Sequence, residues 1–376
     1  MAGRALIGVV GGGLAGLAAA ARLAKVGHQV VVLERAPALG TSHVADEPGG
    51  TVLTLPAAWR DLFRKSGRTL DAELDRRGLE LRPAPPRSHR FADGSALELP
   101  TGRGEQWTTL SAAFGEPAAV AWRDLLDRLD ATWQVLRGLG LEAEFTGRPQ
   151  LTAEARAALR PRESIARLAS GLPAAQLTEL VLDVAARLGQ DPRRLPGWHA
   201  VRLTVERTFG RWQVTAADGA PEPASILVDL LVERLATRGV TVHTGTEVLS
   251  IRRGDPGPRV LTTDGELDVT AVISTLNPIG HAELTRDRSD FRLARSVRPA
   301  AAEGPLWASW HTLLDLPQLR TAVPGVLAAS AWSPGGPDAW AQLLTGALAA
   351  YRVHSDLTGE DIRPTNKAYR PGTTRR

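Results

Sequence analysis

The stretch IGVVGGGLAGLAAAARLAKVGHQVVVLER, residues Ile7–Arg35, decides the fold. The apolar run Ala5–Val10 is typical of a strand that is buried on both faces of a parallel sheet. Gly11, Gly13 and Gly16 follow it in G-x-G-x-x-G spacing. The first glycine allows a tight turn, the second lets a pyrophosphate approach the backbone, and the third lets the next helix pack closely. The stretch therefore predicts a strand, a phosphate-binding turn and a helix.

A second strand completes this unit. The Ala-rich segment Leu17–Val26 favours a helix, Gly27 supplies its C-terminal stop, and Gln29–Leu33 is the next apolar strand. The strand ends in Glu34, where a carboxylate accepts hydrogen bonds from ribose hydroxyls and repels the 2′-phosphate of NADP. The unit predicts a dinucleotide site but does not separate FAD from NAD. Its predicted binding residues are Gly11, Gly13, Leu14, Ala15, Gly16, Glu34 and Arg35.

Composition narrows the class of protein. The chain has 376 residues and a formal net charge of only +4, without a basic, aromatic-rich block, so nucleic acid is not an expected partner. The absence of cysteine excludes disulfides, cysteine-bound metals and a cysteinyl-flavin bond. The spacing of the histidines fits no metal-binding motif, and no apolar run is long enough to span a membrane. We expect a soluble, cytoplasmic protein without a metal site, and peripheral membrane contact stays open.

Seven later segments occur in an order that is typical of one family. They are GGTVLTLP with WRDLF (49–63), HRFADGSALEL (89–99), LGQDPRRLP (188–196), VERTFGRW (205–212), GVTVHTGTEVLSI (239–251), AVISTLNP (271–278) and a final strand, SPGGP turn and helix (324–363). Together with the glycine unit they resemble the phytoene (carotenoid) desaturase branch of the flavin amine oxidase superfamily. The resemblance covers most of the chain.

This resemblance implies a fold and a cofactor. The fold is α/β: a glutathione reductase-like Rossmann domain, with a parallel sheet between helices, interrupted by a smaller cap of helices and antiparallel strands. The implied cofactor is FAD, with Val248 against the adenine and Pro334, Gly335 and Gly336 opening the final helix towards the flavin ring. The implied activity is dehydrogenation of a small hydrophobic, isoprenoid-like substrate by hydride transfer to flavin N5.

The resemblance also predicts the domain boundaries. Residues 1–80, 216–285 and 325–364 form the discontinuous FAD-binding domain, and residues 81–215 and 286–324 form the substrate or cap domain. Residues 365–376 are polar and basic and are expected to be a loose tail.

The sequence departs from the family in one functional segment. Ala36–Glu47 is short and lacks the family's Gly-Gly-Arg, so Gly40 and Arg35 are the candidates to stand in for it. Two alternatives therefore stay open: an amine oxidase-like flavoprotein, and a non-catalytic paralogue that retains the fold.

No catalytic residue can be assigned from the sequence. His199, His243 and His281 are interpreted as surface or structural residues, and Glu206 and Arg207 fit a cavity lining or a structural pair equally well. The tryptophans of the predicted cap suit either a cavity wall or a core; they are Trp122, Trp133, Trp198, Trp212, Trp307 and Trp310.

Overall fold

A computed structural model describes residues 5–40, 50–301 and 319–363 of the chain. Its helices are α1 (Leu14–Lys25), α2 (Ala57–Ser66), α3 (Leu70–Asp75), α4 (Arg103–Phe114), α5 (Glu116–Arg137), α6 (Ala153–Leu159), α7 (Ile165–Ala169), α8 (Ala175–Arg187), α9 (Val201–Phe209), α10 (Ile226–Thr237), α11 (Pro278–Thr285), α12 (Arg288–Ala301) and α13 (Ala339–Thr358). Its strands are β1 (Leu6–Val10), β2 (Gln29–Glu34), β3 (Val52–Thr54), β4 (Leu79–Pro83), β5 (Arg87–Arg90), β6 (Ala96–Leu99), β7 (Arg211–Ala216), β8 (Thr241–Thr244), β9 (Val248–Arg252), β10 (Arg259–Thr262), β11 (Gly265–Asp268), β12 (Ala271–Ser274) and β13 (Val326–Ala328).

A five-stranded parallel sheet in the order β13-β12-β1-β2-β8 forms the centre of the molecule. Val9 of β1 lies between Val32 of β2 and Ile273 of β12, and all three side chains are fully buried. Apolar, β-branched runs suit these strands because helices and a second sheet cover both faces. The Rossmann-type α/β fold predicted from the sequence is confirmed.

Two helices that are far apart in the sequence pack closely on one face of this sheet. At Gly346 of α13, an added Cβ would lie under 3.0 Å from the carbonyl oxygen of Ala15 in α1. Only glycine permits this approach of two backbones. The two helices also meet just after the other end of α1, where His28 Nε2 lies 3.0 Å from His354 Nδ1 of α13. The last helix therefore covers the helix that follows the glycine turn.

Antiparallel strands connect the parallel sheet to the rest of the chain. Strands β9, β10 and β11 form a three-stranded meander between β8 and β12. A second sheet pairs β7 with both β3 and β4, and so joins segments from before and after the helical region. The hairpin β5–β6 turns at Asp93 and Gly94, as the sequence predicts, with the Ser95 amide donating to Asp93.

The helical region has its own hydrophobic core. Buried residues between Phe91 and Leu203, from α4, α5, α7, α8 and the hairpin, form one cluster that is separate from the cluster around the parallel sheet. These clusters are consistent with a nucleotide-binding part and a cap, and the exact boundaries stay a prediction. Within the described ranges, no helix combines the length and the apolar character needed to cross a bilayer. Trp307, Trp310 and the tail 365–376 lie outside the described residues.

Candidate functional site

The glycine turn lies where β1 ends and α1 begins. Gly11 adopts φ +101°, a left-handed conformation that favours glycine. A Cβ on Gly16 would lie under 3.0 Å from the carbonyl oxygen of Gly11 and 3.1 Å from Val9. The third glycine therefore lets α1 pack directly on the turn and on the preceding strand, as the motif predicts.

The N-terminus of α1 offers backbone donors that need an acceptor. Its N-cap is Gly13, which has no side chain to cap the helix, and the first turn contains no acidic residue. Leu14 and Ala15 are almost fully buried, so solvent does not replace a cap. Uncapped N–H groups and the positive end of the helix dipole together bind phosphate. The turn therefore fits the pyrophosphate of a dinucleotide.

Glu34, at the end of β2, stabilises the glycine turn through hydrogen bonds. One carboxylate oxygen accepts a short hydrogen bond from the Gly12 amide, and the other accepts from the Ala36 amide at 2.7 Å. Each carboxylate oxygen keeps a second lone pair. The predicted contact with the ribose stays a prediction, and the structure adds a role for Glu34 in shaping the turn.

The two residues suggested in place of the missing Gly-Gly-Arg lie in different environments. The Gly40 amide donates to the carbonyl oxygen of Gly12 at 2.9 Å, which brings this segment back to the turn. Arg35 is 81% exposed, and its guanidinium lies 4.0 Å from the carboxylate of Glu247. Of these two candidates, Gly40 contacts the glycine turn and Arg35 pairs with Glu247 instead. The remainder of Ala36–Glu47, from residue 41 onwards, lies outside the described residues.

Val248, the predicted adenine contact, begins β9. Its side chain is buried in the apolar cluster that contains Val10, Val31 and Leu33 from the first two parallel strands. The chain reaches this position through Thr246, whose amide donates to the carbonyl oxygen of Glu34 at 3.0 Å. Val248 therefore lies near the end of β2 where adenosine is expected, and its role stays a prediction.

Thr275 is a residue of this site that the sequence analysis missed. Its hydroxyl donates to the carbonyl oxygen of Val10 at 2.9 Å, and a Cβ on Gly11 would meet that hydroxyl. The signal in the sequence was its position directly after β12. Because β12 lies beside β1 in the parallel sheet, the residue after it reaches the glycine turn.

The final flavin segment differs from the prediction. Gly335 and Gly336 do not open the last helix: α13 begins at Ala339, with Asp338 as its N-cap. Gly336 has φ +94° and its amide donates to the carbonyl oxygen of Ser333 at 2.9 Å, which makes a turn that is incompatible with a right-handed helix. The binding role of Pro334, Gly335 and Gly336 stays a prediction.

This turn packs against the cap. A Cβ on Gly335 would lie 2.7 Å from the Leu141 side chain and 3.0 Å from the carbonyl oxygen of Gly140. Gly140 and Leu141 follow α5, so the end of the longest cap helix meets the turn before α13. The glycines of the turn permit a contact between the two parts of the chain.

A cavity of about 50 Å³ lies at this contact. Its wall includes the turn 333–338 together with Trp133, Trp198, Trp340, His199 and Arg202. The sequence left open whether the cap tryptophans line a cavity or fill a core, and Trp133 and Trp198 line this cavity. His199 and His281 are buried, whereas His243 is exposed on β8.

Glu206 belongs to a buried ion-pair cluster in the cap. Its carboxylate lies 2.8 Å from Arg87 and 3.1 Å from Arg187, and Arg187 also pairs with Asp183. Burial raises the pKa of Glu206, but the two guanidiniums outweigh burial and hold the pKa below its ordinary value. Of the two interpretations offered by the sequence, this geometry favours the structural pair for Glu206.

The parallel sheet and the glycine turn define the class as dinucleotide-binding proteins. Residues 7–303 match the family model described as FAD dependent oxidoreductase. The chain belongs to this family, and its cofactor is FAD.

Curated relatives point to one branch of such enzymes. Hydroxyneurosporene desaturase of Cereibacter sphaeroides is 30% identical over 277 residues, which are 68% of this chain and 53% of the relative. Phytoene dehydrogenase of Streptomyces griseus is 34% identical over 150 residues, which are 38% of this chain and 29% of the relative. The chain thus aligns with about half or less of the length of these relatives.

Solved structures confirm the fold. A putrescine oxidase variant has a TM-score of 0.59 at 14% identity, covering 94% of this chain and 99% of the other. Cyclohexylamine oxidase from Brevibacterium oxydans has a TM-score of 0.57 at 13% identity, covering 94% of this chain and all of the other. At such identities the likeness concerns the fold alone.

Proposed function

We propose that the chain is a desaturase-type oxidoreductase that binds FAD and dehydrogenates a small hydrophobic, isoprenoid-like substrate. The observation that carries this proposal is the uncapped, buried N-terminus of α1 at the glycine turn, which fits a pyrophosphate. Bound FAD supplies the hydride acceptor. The polypeptide binds the cofactor, orients it and excludes water from the reacting bond.

The choice of a hydrophobic substrate rests on the names of the relatives. The apolar lining of the cavity agrees with it, although at about 50 Å³ the cavity is too small to hold a whole polyene. The two relatives are named for phytoene and hydroxyneurosporene, which are polyenes. The cavity beside the 333–338 turn is lined by three tryptophans and two leucines; they are Trp133, Trp198, Trp340, Leu136 and Leu141. Large apolar rings favour contact with an apolar substrate over a strongly hydrated one.

The experiment that tests this proposal is a visible spectrum of the purified protein before and after FAD is added. We expect a bound flavin spectrum, followed by bleaching under anaerobic conditions when phytoene in detergent is supplied. Putrescine and cyclohexylamine serve as matched substrates for the amine oxidase alternative. Bleaching by an amine but not by phytoene would contradict the proposed activity and support the amine oxidase alternative. Failure to take up FAD would favour a non-catalytic paralogue.

We also propose that the protein resides in the cytoplasm and contacts membranes through α12. Phe291 is 46% exposed on this helix, and the neighbouring Arg288, Arg292 and Arg295 are exposed as well. An apolar ring among arginines on one helix is typical of segments that lie at an anionic membrane surface. This contact would bring the protein to a hydrophobic substrate that resides in the bilayer.

Flotation with lipid vesicles tests the membrane contact. We expect the wild-type chain to float with vesicles that contain anionic lipid, and Phe291→Ser to reduce the bound fraction several-fold because the inserted ring is lost. Leu249→Ser is the matched control, since Leu249 is 45% exposed but belongs to strand β9. Equal flotation of all three chains would contradict the assignment to α12.

A further inference from the structure

A second cavity, the cap cavity, lies between α4, α5 and α9. Its volume is about 360 Å³, and it shares no lining residue with the cavity at the 333–338 turn. Sites for small molecules have volumes of about 300–1,000 Å³. The cap cavity is therefore large enough for a ligand of its own.

The buried part of the wall of the cap cavity is apolar. Ala119, Trp122 and Leu126 follow one another at helical spacing on one face of α5, and all three are buried. The indole N–H of Trp122 donates to the side chain of Gln106 at 3.2 Å. The Gln106 amide in turn donates to the carbonyl oxygen of Pro100 at 2.8 Å. Because these polar atoms have partners within the protein, this part of the wall favours an apolar group of a ligand.

The exposed part of the same wall is cationic. Arg103 of α4 and Arg123 of α5 line the cavity, with 63% and 43% of their side chains exposed. The guanidinium of Arg123 lies over the ring of Trp107, another wall residue, at 5.7 Å from the ring centroid. This distance is within the range of a cation–π contact. Two guanidiniums and an indole therefore lie on the solvent side of the cavity.

A third arginine of the wall is buried and fixed. Only 5% of the Arg207 side chain is exposed, and its guanidinium pairs with Asp127 at 3.2 Å and with Asp130. The sequence left open whether Arg207 lines a cavity or forms a structural pair, and in the structure it does both. Asp127 also pairs with Arg103 at 2.8 Å. One carboxylate therefore holds two of the three wall arginines in place.

The wall of the cap cavity carries positive charge without a carboxylate. Among the described residues, three arginines line it and no Asp or Glu does. The acidic partners of these arginines, Asp124, Asp127 and Asp130, belong to α5 but lie outside the wall. A guanidinium has five N–H groups. The hydrogen bonds within the described chain use one of them in Arg103 and two in Arg123, so donors remain for the oxygens of a carboxylate or phosphate.

We propose that the cap cavity binds an anionic amphiphile. Its apolar chain or ring packs against Trp122 and Leu126, and its carboxylate or phosphate head group binds Arg103 and Arg123. An apolar wall alone would accept any hydrocarbon, and arginines alone would accept any anion. The two together select a molecule that carries both groups. The site is separate from the glycine turn and does not depend on the identity of the cofactor.

Isothermal titration calorimetry of the full chain with decanoate and with decyl phosphate tests this site. We expect at least one of the two anions to bind, and the tighter one identifies the head group. Decan-1-ol has the chain without the charge, and acetate has the charge without the chain. Both are expected to bind at least about tenfold more weakly. Equal binding of decan-1-ol or of acetate would contradict the proposal, and so would the absence of binding by both amphiphiles.

Two variants test whether the ligand lies in the cap cavity. Gly104 lines it, and an added Cβ would meet no atom within 4 Å, so Gly104→Leu places an apolar side chain in open space. We expect this variant to weaken binding of the amphiphile about tenfold and Arg103→Gln to weaken it about fivefold. Arg76→Gln is the matched control, since Arg76 is 65% exposed and paired with Glu73 but does not line the cavity. Wild-type affinity in both cavity variants would overturn the assignment.

Discussion

Replacing Gly16 with alanine is expected to weaken FAD binding at least about tenfold. The added methyl group would lie under 3.0 Å from the carbonyl oxygen of Gly11 and 3.1 Å from Val9. The oxygen is part of the backbone of the turn, so it cannot move aside without displacing the turn. Overpacking of this kind costs about 1–3 kcal/mol. Because α1 must shift, its N–H groups no longer meet the pyrophosphate.

The measurement is FAD affinity by quenching of flavin fluorescence, together with thermal unfolding. Gly104→Ala is the matched control, because Gly104 also lies in the first turn of a helix, α4, and an added Cβ would meet no atom within 4 Å. Alanine is expected to stabilise that helix by about 0.5–1 kcal/mol. A Gly16→Ala chain that binds FAD like the wild type would show that the close contact is not required.

Replacing Glu206 with alanine is expected to lower the free energy of unfolding by about 3 kcal/mol. The substitution leaves Arg87 and Arg187, each with a side chain 13% exposed, without the carboxylate between them. Removing one partner of a buried ion pair costs about 3–5 kcal/mol, and the pairing of Arg187 with Asp183 keeps the value at the lower end. Chemical denaturation of both chains at neutral pH measures the difference.

The stabilisation by Glu206 depends on pH in a defined direction. The folded pKa lies below the ordinary value of 4.5, because the two guanidiniums outweigh burial. Its contribution is therefore fully present above about pH 4.5 and is lost as the pH falls through the folded pKa. We expect the difference between wild type and Glu206→Ala to shrink at about pH 3.

An exposed ion pair supplies the control for this experiment. Glu142 pairs with Arg137 in the cap, but 53% and 32% of their side chains are exposed. Glu142→Ala is expected to change stability by about 1 kcal/mol or less, because water screens the pair. If both variants lose equal stability, burial is not the reason for the effect of Glu206.

The nucleotide-binding unit was predictable because its signals are local. Strand, glycine turn, helix and terminal acid follow one another within the stretch that ends at Arg35, and each step has a backbone or hydrogen-bonding reason. The order of the later segments extended the prediction to the fold and the cofactor. Helix ends were less certain: the sequence placed the start of the last helix at Gly335, whereas the turn conformation of Gly336 delays it to Ala339.

Other site residues could not be found in this way because their partners are distant in sequence. Thr275 reaches the glycine turn only through the neighbouring position of β12 and β1. The ion pair at the start of the last helix likewise joins Arg202 to Asp338, which lies 136 residues further along the chain. Such contacts depend on tertiary packing, which the local pattern of residue types does not reveal.

The pairing of α1 with α13 also makes the nucleotide site depend on a distant part of the chain. The glycine motif follows the first strand of the parallel sheet, yet the helix that seals Ala15 with Gly346 follows the last strand of that sheet. Strand β1 and helix α1 thus depend on partners that are distant in sequence: β12 lies beside β1, β13 lies beside β12, and α13 packs on α1. The binding site at the glycine turn is therefore finished only when these distant segments have packed against it.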